Sequence, residues 1–496
     1  MREEPGKAEG AVLLGSGPVA GAGAGPADPT VALPGIGDLV RVPRPRVAVG
    51  RSAGRLALGA LILAILAIVA FAASGPAVLV PRSALSFPNW EAGPLHGLFG
   101  RPIDVPMTLN IGLSVVIVAM LAAYGVALAA IRTLSMRTIV IFVIAAHVVL
   151  LLGPPFQLTD VFNYLGYARL GGLHHLDPYK HVMASEVHDP VFRFTSWHHL
   201  RSPYGPLFTV LSYPLAFVPL PIAYWVLKVV TVLASLLFIW LVWKCACLLG
   251  RDSRFAVLFV AANPIFLIYG VGGFHNDFFM LVPSMAAIAL ILARRDRAAG
   301  AALMVAVAVK FSAVLLLPFL LIAVRPTGRR VRIVTGAAIA ALPLAALSLA
   351  FFGFSIPNLV DQSTLLTDFS VPNVVGDVLG LGGGTPGLLR IANVALVLAV
   401  VYLLRRRRDW LSGAGWATLA LIASLAWLVP WYVIWLLPLA SLGRSVRLRR
   451  ASHALTVYLV IAFMPVTGML LAQHSINLMG GPAGLASKAL QQKLAQ

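Results

Sequence analysis

The stretch "AGAALMVAVAVKFSAVLLLPFLLIAV", Ala299 to Val324, is long enough for one complete membrane crossing, yet Lys310 stands near its centre. A hydrocarbon core about 30 Å thick takes roughly 20 apolar residues of helix. Arginine clusters flank the stretch on both sides, "RRDR" at 294–297 and "RPTGRRVR" at 325–332. Basic loops of a membrane protein stay cytoplasmic, so a single crossing would strand one cluster on the wrong side. Two short half-helices with their apex at "VKFS" resolve the conflict. They return the chain to the side it left and carry Lys310 toward the outer side.

Composition supplies the lipid that this reading needs. Of 496 residues, 59% are hydrophobic and 11% are charged, against about a quarter charged in a soluble domain. Apolar runs of spanning length recur from residue 56 to residue 470. Backbone groups must be satisfied inside a bilayer, so the spans are helices, and the alternation expected of barrel strands is absent. The fold class is therefore all-α polytopic. A net charge of +20 does not mark a nucleic-acid binder, because the arginines fall between spans, in "RTLSMR", "RRRR" and "RSVRLRR" as well. Cys245 and Cys247, one residue apart at the end of a span, read as packing residues. Residues 1–54 are rich in Gly, Ala and Pro, with Glu3 and Glu4 where a signal peptide needs positive charge. They are expected to form a disordered cytoplasmic tail. The membrane domain then covers 55–470, and 471–496 is expected to be a C-terminal tail.

With basic loops inside, spans at about 56–80, 107–130 and 138–156 put residues 157–205 outside. The same alternation places "GGFHND" (272–277) at an outer hairpin and makes 355–388 a second outer loop. "LAWLVPWYVIWLLPLASLGR" (425–444) bends at Pro430, a second broken span of the kind that lines a cavity rather than lipid. "YGPLFTVLSYPLAFVPLP" (204–221) is expected to re-enter or lie along the outer surface. A genuine crossing there would invert everything downstream. In the first arrangement Asp160, His275–Asp277, Lys310 and Trp431–Tyr432 lie toward one face. Ionisable groups in a membrane interior are costly, so their convergence reads as a site.

On a helix, Asp160, Tyr164 and Tyr167 share one face. From this segment alone an N-capping aspartate with interfacial tyrosines is an open reading. The sharper one is a general base at the membrane surface, with aromatic rings beside it to receive a sugar. Lys310 either snorkels or, at the apex of a broken hairpin, binds an anionic group. The outer loop is rich in histidine, but its spacings match no common zinc pattern. No P-loop and no Asp-x-Asp pair is present, so neither a metal nor a cofactor is expected.

"TDVFNYLGYARLGGLHHLDPY" (159–179), "SPYGPL" (202–207), "NPIFLIYGVGGFHND" (263–277), "VAVKFSAVLLLPFL" (307–320) and "PWYVIWLLPL" (430–439) form an ordered set. The set resembles the bacterial polyprenol-phosphate-mannose-dependent α-(1→6)-mannosyltransferases of the GT-C superfamily over roughly residues 100–440. The resemblance implies a GT-C-like bundle of about 11–13 transmembrane helices in the cell membrane, with its site toward the extracytoplasmic side. It implies a polyprenyl-phosphate sugar donor, most simply carrying mannose, and a glycan or glycolipid acceptor. Asp160 matches the catalytic aspartate of the first large outer loop in that superfamily. An inverting displacement needs one base and a stabiliser for the departing phosphate. Lys310, with an arginine of the outer loop such as Arg201, would hold that phosphate, and His275, Asn276 and Asp277 would bind sugar hydroxyls or orient the site. Tyr164, Tyr167, Asp177, Tyr179, Tyr204, Trp431 and Tyr432 complete the substrate-binding candidates. A membrane transporter or lipid-linked sugar flippase is the competing reading, because broken helices serve those proteins too. No internal repeat of the kind they use is visible.

Overall fold

The apolar runs between the arginine clusters fold as helices, and no strand occurs among the described residues. The computed structural model describes residues 50–73, 87–97, 106–156, 160–357, 365–405 and 409–495. Most of the expected N-terminal tail, 1–49, lies outside them. Helix α1 (Arg51–Ala73) already begins within the last few residues assigned to that tail. It packs with α2 (Pro106–Ala129) and α3 (Met136–Leu151). The Ser135 side chain caps α3 by accepting from the Thr138 amide, which satisfies a donor that the first turn leaves without a partner.

Helix α4 (Asp160–Gly172) starts the outer loop. Phe162 stacks on Phe194 at 5.0 Å and on Tyr224 at 5.4 Å, each pair worth about 1 kcal/mol beyond area burial. Tyr224 belongs to α5 (Leu220–Leu248), a long apolar helix. The loop between them is clamped by a buried Asp189, whose carboxylate accepts from Arg169 at 2.8 Å and lies 2.7 Å from His174 Nε2. Pro206–Phe217 is a short apolar helix. At 1.5 Å per residue it reaches only about 18 Å, too short to cross a bilayer.

Helix α6 (Asp277–Leu292) leads away from this region, and α7 (Asp296–Val309) returns to it. Lys310 then breaks the helix with extended backbone, φ −152° and ψ 120°. A 3-10 turn (Phe311–Leu316) and α8 (Leu317–Ala323) lead away again, and α9 (Thr327–Phe352) follows. Asp296, at the start of α7, pairs with Arg329 at 2.7 Å and Arg332 at 3.2 Å near the start of α9. Both feet of the α7–α8 hairpin therefore stand together, with Lys310 at the apex. Helices α7 and α9 approach so closely that a side chain on Gly300 would collide with the Ile333 carbonyl. The half-helix reading of 299–324 is what the chain adopts.

A second hairpin follows α10 (Pro386–Arg405). Its arms are α11 (Trp410–Ser424) and α12 (Val433–Leu442), and its apex is the non-helical run 425–429 with the turn Pro430–Tyr432. Asp409 caps α11 through the Ser412 amide and also accepts from the Arg444 amide just beyond α12, at 2.9 Å. These feet, too, stand together. Helices α13 (Val446–Phe463) and α14 (Pro465–Gln473) are bent by 55° at their junction.

By length and composition five helices among the described residues can cross a membrane, or six if α13 and α14 make one span. The expected 11–13 crossings exceed that number because six further apolar helices are short, three of them parts of the two broken hairpins. The protein is an all-α polytopic membrane protein. The second outer loop holds a helix, Val371–Val378, and residues 358–364 of it lie outside the described residues. The expected C-terminal tail instead ends in α15 (Pro482–Ala495), with Gly484, Ser487 and Leu494 buried on one face.

Candidate active site

The apices of both hairpins, the start of α4 and the start of α6 meet around one cavity. From α4 come Asp160, Asn163, Tyr164 and Tyr167. This is the face that helical spacing predicts, with Asn163 added at i+3. Asn276, Asp277 and Lys310 contribute the polar floor, and Trp431 and Tyr432 come from the second apex. Tyr204 stands edge-on to Tyr164 at 5.0 Å.

Asp160 opens α4, where the helix dipole favours a carboxylate, and its side chain remains 14% exposed toward the cavity. His275, fully buried, places Nδ1 3.2 Å from Asp160 Oδ2 and stacks flat on Trp431, with ring centroids 3.8 Å apart. His275 thus supports the cavity from behind and does not line it. It is aimed by a tight turn: Phe274 adopts φ 51°, a conformation costing a non-glycine residue about 1 kcal/mol or more. A side chain on Gly273 would strike the imidazole. The Asn276 amide donates to Tyr164 Oη at 3.1 Å, which ties this turn to α4.

Asp277 and Lys310 form one unit. Lys310 Nζ donates to Asp277 Oδ1 at 2.8 Å, and Trp435 Nε1 donates to the same oxygen at 2.6 Å. Asp277 is buried and Lys310 is partly exposed. One of the three ammonium donors is spent on the carboxylate, which leaves two for a ligand. Sequence reasoning treated these two residues as independent binders, and the structure makes Asp277 the partner that holds Lys310 in place.

The tyrosines are not bases. Burial first, and the Asp160 charge next, push the phenols of Tyr167 and Tyr204 well above their ordinary range. Tyr167 Oη donates to the Leu200 carbonyl at 2.9 Å. Among the cavity's own groups, Asp160 is the carboxylate without a bound cation.

Three expected site residues lie apart. Arg201 is exposed and does not line the cavity. Asp177 caps its own turn by accepting from the Tyr179 amide at 2.9 Å, as aspartates in turns do. Tyr179 is buried, donates to the Tyr204 carbonyl at 2.8 Å and packs on Phe352, so it supports Tyr204. Residues missed by sequence reasoning are Asn163, Trp197, Leu200, Pro203, Leu365 and Trp427. Asn163, Pro203 and Trp427 stood within stretches already quoted, and a tryptophan in the polar loop 157–205 was a signal for Trp197. No group of three His, Cys, Asp or Glu side chains could hold a metal ion among the described residues.

A second, largely apolar cleft lies on the other side of Trp435. It runs between α6, the turn after Lys310, α11 and α12, from Ser312 and Trp435 past Met285 to Leu421. Trp435, which touches Asp277, is one of its walls.

Comparison with known proteins places the residues that build most of this cavity inside a matched region. Residues 57–326 match the family described as "Alpha-(1->6)-mannopyranosyltransferase, N-terminal domain". The chain is 27% identical over 361 residues to Alpha-(1->6)-mannopyranosyltransferase A of Mycobacterium tuberculosis, covering 64% of this chain and 67% of that protein. It is 28% identical over 183 residues to the protein of the same name from Corynebacterium glutamicum, 35% of this chain and 36% of that one. A probable alpha-(1->6)-mannopyranosyltransferase of Mycolicibacterium smegmatis is 25% identical over 367 residues, 62% and 66% of the two chains. The matches thus span from about a third to about two thirds of these relatives. No solved structure matches the chain.

Proposed function

The chain belongs to the alpha-(1→6)-mannopyranosyltransferase family, and on that premise we propose that it moves mannose from a polyprenyl-phosphate donor to a glycan or glycolipid acceptor. The observation that carries this reading is a pair of clefts on either side of the Asp277–Trp435 hydrogen bond. One is polar and holds Asp160 and Lys310, and the other is apolar and lies between the broken helices. A sugar phosphate on a polyprenyl chain has the same two halves.

The chemistry is a single displacement. Asp160 takes the proton of the acceptor hydroxyl as its oxygen attacks the anomeric carbon. The bond from that carbon to the phosphate oxygen breaks, and the polyprenyl phosphate leaves with the electron pair. Lys310 offers its two remaining donors to that oxygen as a point charge. Asp277 and Trp435 keep the lysine placed. One displacement inverts the anomeric centre, so an α-linked product requires a β-linked donor.

Orientation follows from the arginines. Helix α6 starts at the cavity with Asp277 and ends beside Arg294 and Arg295, and both hairpins have their feet at Arg329 and Arg444. The cavity thus stands at the end of these helices away from the basic clusters. Positive-inside topology then turns it toward the extracytoplasmic face of the cell membrane.

Detergent-solubilised protein given labelled polyprenyl-phosphate mannose and an oligomannoside should yield labelled glycan. Efficient transfer from GDP-mannose with no lipid carrier present would overturn the donor, and energy-driven solute uptake without transfer would restore the transporter reading.

A further inference from the structure

Helix α15 lies beyond the matched region 57–326 and takes no part in the chemistry above, yet it is docked against the catalytic cavity. Ser487, Gln491 and Leu494 share one helical face. Ser487 Oγ accepts from the Leu366 amide at 2.7 Å, and Gln491 Nε2 donates to the Leu366 carbonyl at 3.2 Å. The His199 amide donates to the Leu494 carbonyl at 2.9 Å. Leu494 forms a small buried cluster with Leu200 and Leu365, on which Trp197, Trp427 and Leu490 pack. Of these, Leu200, Leu365, Trp197 and Trp427 also line the catalytic cavity. The wall made by Trp197 and Trp427, 6.0 Å apart and edge-on, is therefore held from outside by α15.

Trp427 belongs to a further cleft as well, of about 520 Å³. Thr367, Asp368, Lys488 and Gln491 supply its polar groups, while Phe369 and Phe463 supply aromatic faces. Pyranose rings present apolar CH faces and a rim of hydroxyls. Such ligands are held by aromatic rings together with a few placed carboxylate, amide and amine groups. We propose that this cleft is an acceptor subsite for an α-linked oligosaccharide, joined to the catalytic cavity at Trp427 and walled by α15. It takes the sugar residues behind the one that receives mannose, and the proposal rests on the transferase reading.

Acceptor length tests it. Methyl α-mannoside reaches only the catalytic cavity, whereas an α-linked hexamannoside fills both. In a Lys488→Leu variant, KM for the hexamannoside should rise about tenfold, with KM for methyl mannoside and both kcat values within about twofold. Asp368→Ala, at an exposed position away from the helix contacts, should act in the same direction and keeps the test open if the helix variant fails to fold. Equal losses on both acceptors would make α15 merely structural and overturn the subsite. Unchanged KM for the hexamannoside would overturn it too, as expected if the cleft holds a lipid tail instead. Should the wild type transfer to neither acceptor, titration of its tryptophan fluorescence with hexamannoside decides separately. A response lost in the variants keeps the subsite and fails the transferase reading, and no response fails both.

Discussion

Asp160→Asn separates chemistry from folding. The asparagine keeps the size of the side chain and removes the basic oxygen. A positioned general base is worth about 10²- to 10⁴-fold in rate, or about 2.7–5.4 kcal/mol of barrier. The structural cost is smaller, because the side chain is partly exposed, opens a helix and touches His275 at 3.2 Å. Loss of a charge at a helix N-terminus costs about 0.3–1 kcal/mol. Turnover of polyprenyl-phosphate mannose should thus fall by at least about a hundredfold while the thermal unfolding midpoint moves by only a few degrees. The assay is single-turnover release of labelled glycan by purified protein in detergent, alongside a fluorescence melt of the same sample. Transfer within tenfold of the wild type would refute Asp160 as the base. Loss of rate accompanied by an equal loss of fold would refute the separation drawn here.

Lys310→Ala should raise KM for the lipid donor more than for the acceptor, and Lys310→Arg should keep part of the rate, as steady-state kinetics with each substrate varied would report. Asp189 is raised by burial but lowered more by its hydrogen bonds from Arg169 and His174, so its carboxyl sits below the ordinary 3.8. The stability it gives the outer loop is complete above that value and lost as pH falls through the lowered one. Asp189→Asn should cost about 3 kcal/mol at pH 7, seen in a melt, because it leaves Arg169 without its partner. Single cysteines at Lys180 and Arg295, in a background lacking Cys245 and Cys247, test orientation: an impermeant thiol reagent on intact cells should label the first and spare the second.

What the sequence made legible was whatever charge and period constrain locally. Arginines on both sides of 299–324 and of 425–444 force each run to turn back, and the structure places Lys310 and Tyr432 at the turns. The i, i+4, i+7 spacing of Asp160, Tyr164 and Tyr167 set their common face before any tertiary contact was known. Pairings across the chain were not legible. Nothing local couples Lys310 to Asp277, and "HND" left open whether its residues bind or orient, which the separate contacts of His275, Asn276 and Asp277 distinguish. Arg201 was expected at the phosphate only because it is basic and in the right loop. Helix α15 escaped because its docking face is partly polar, with Ser487 and Gln491, while Leu485 points out at 55% exposure. Hydrophobic period carries no information about such a face.

The short arms of the first hairpin fix a depth. Helix α7 has 14 residues, about 21 Å from its arginine foot to Lys310, whereas the hydrocarbon layer is about 30 Å thick. With the foot at one surface, the lysine stops short of the other, and under the proposed function the reacting bond lies in a well sunk below the headgroups. A donor whose phosphate is tethered to a chain in the bilayer reaches that level without being lifted out. A water-borne glycan has to lower one narrow end into it, which favours growth at a chain terminus over attachment to the middle of a strand.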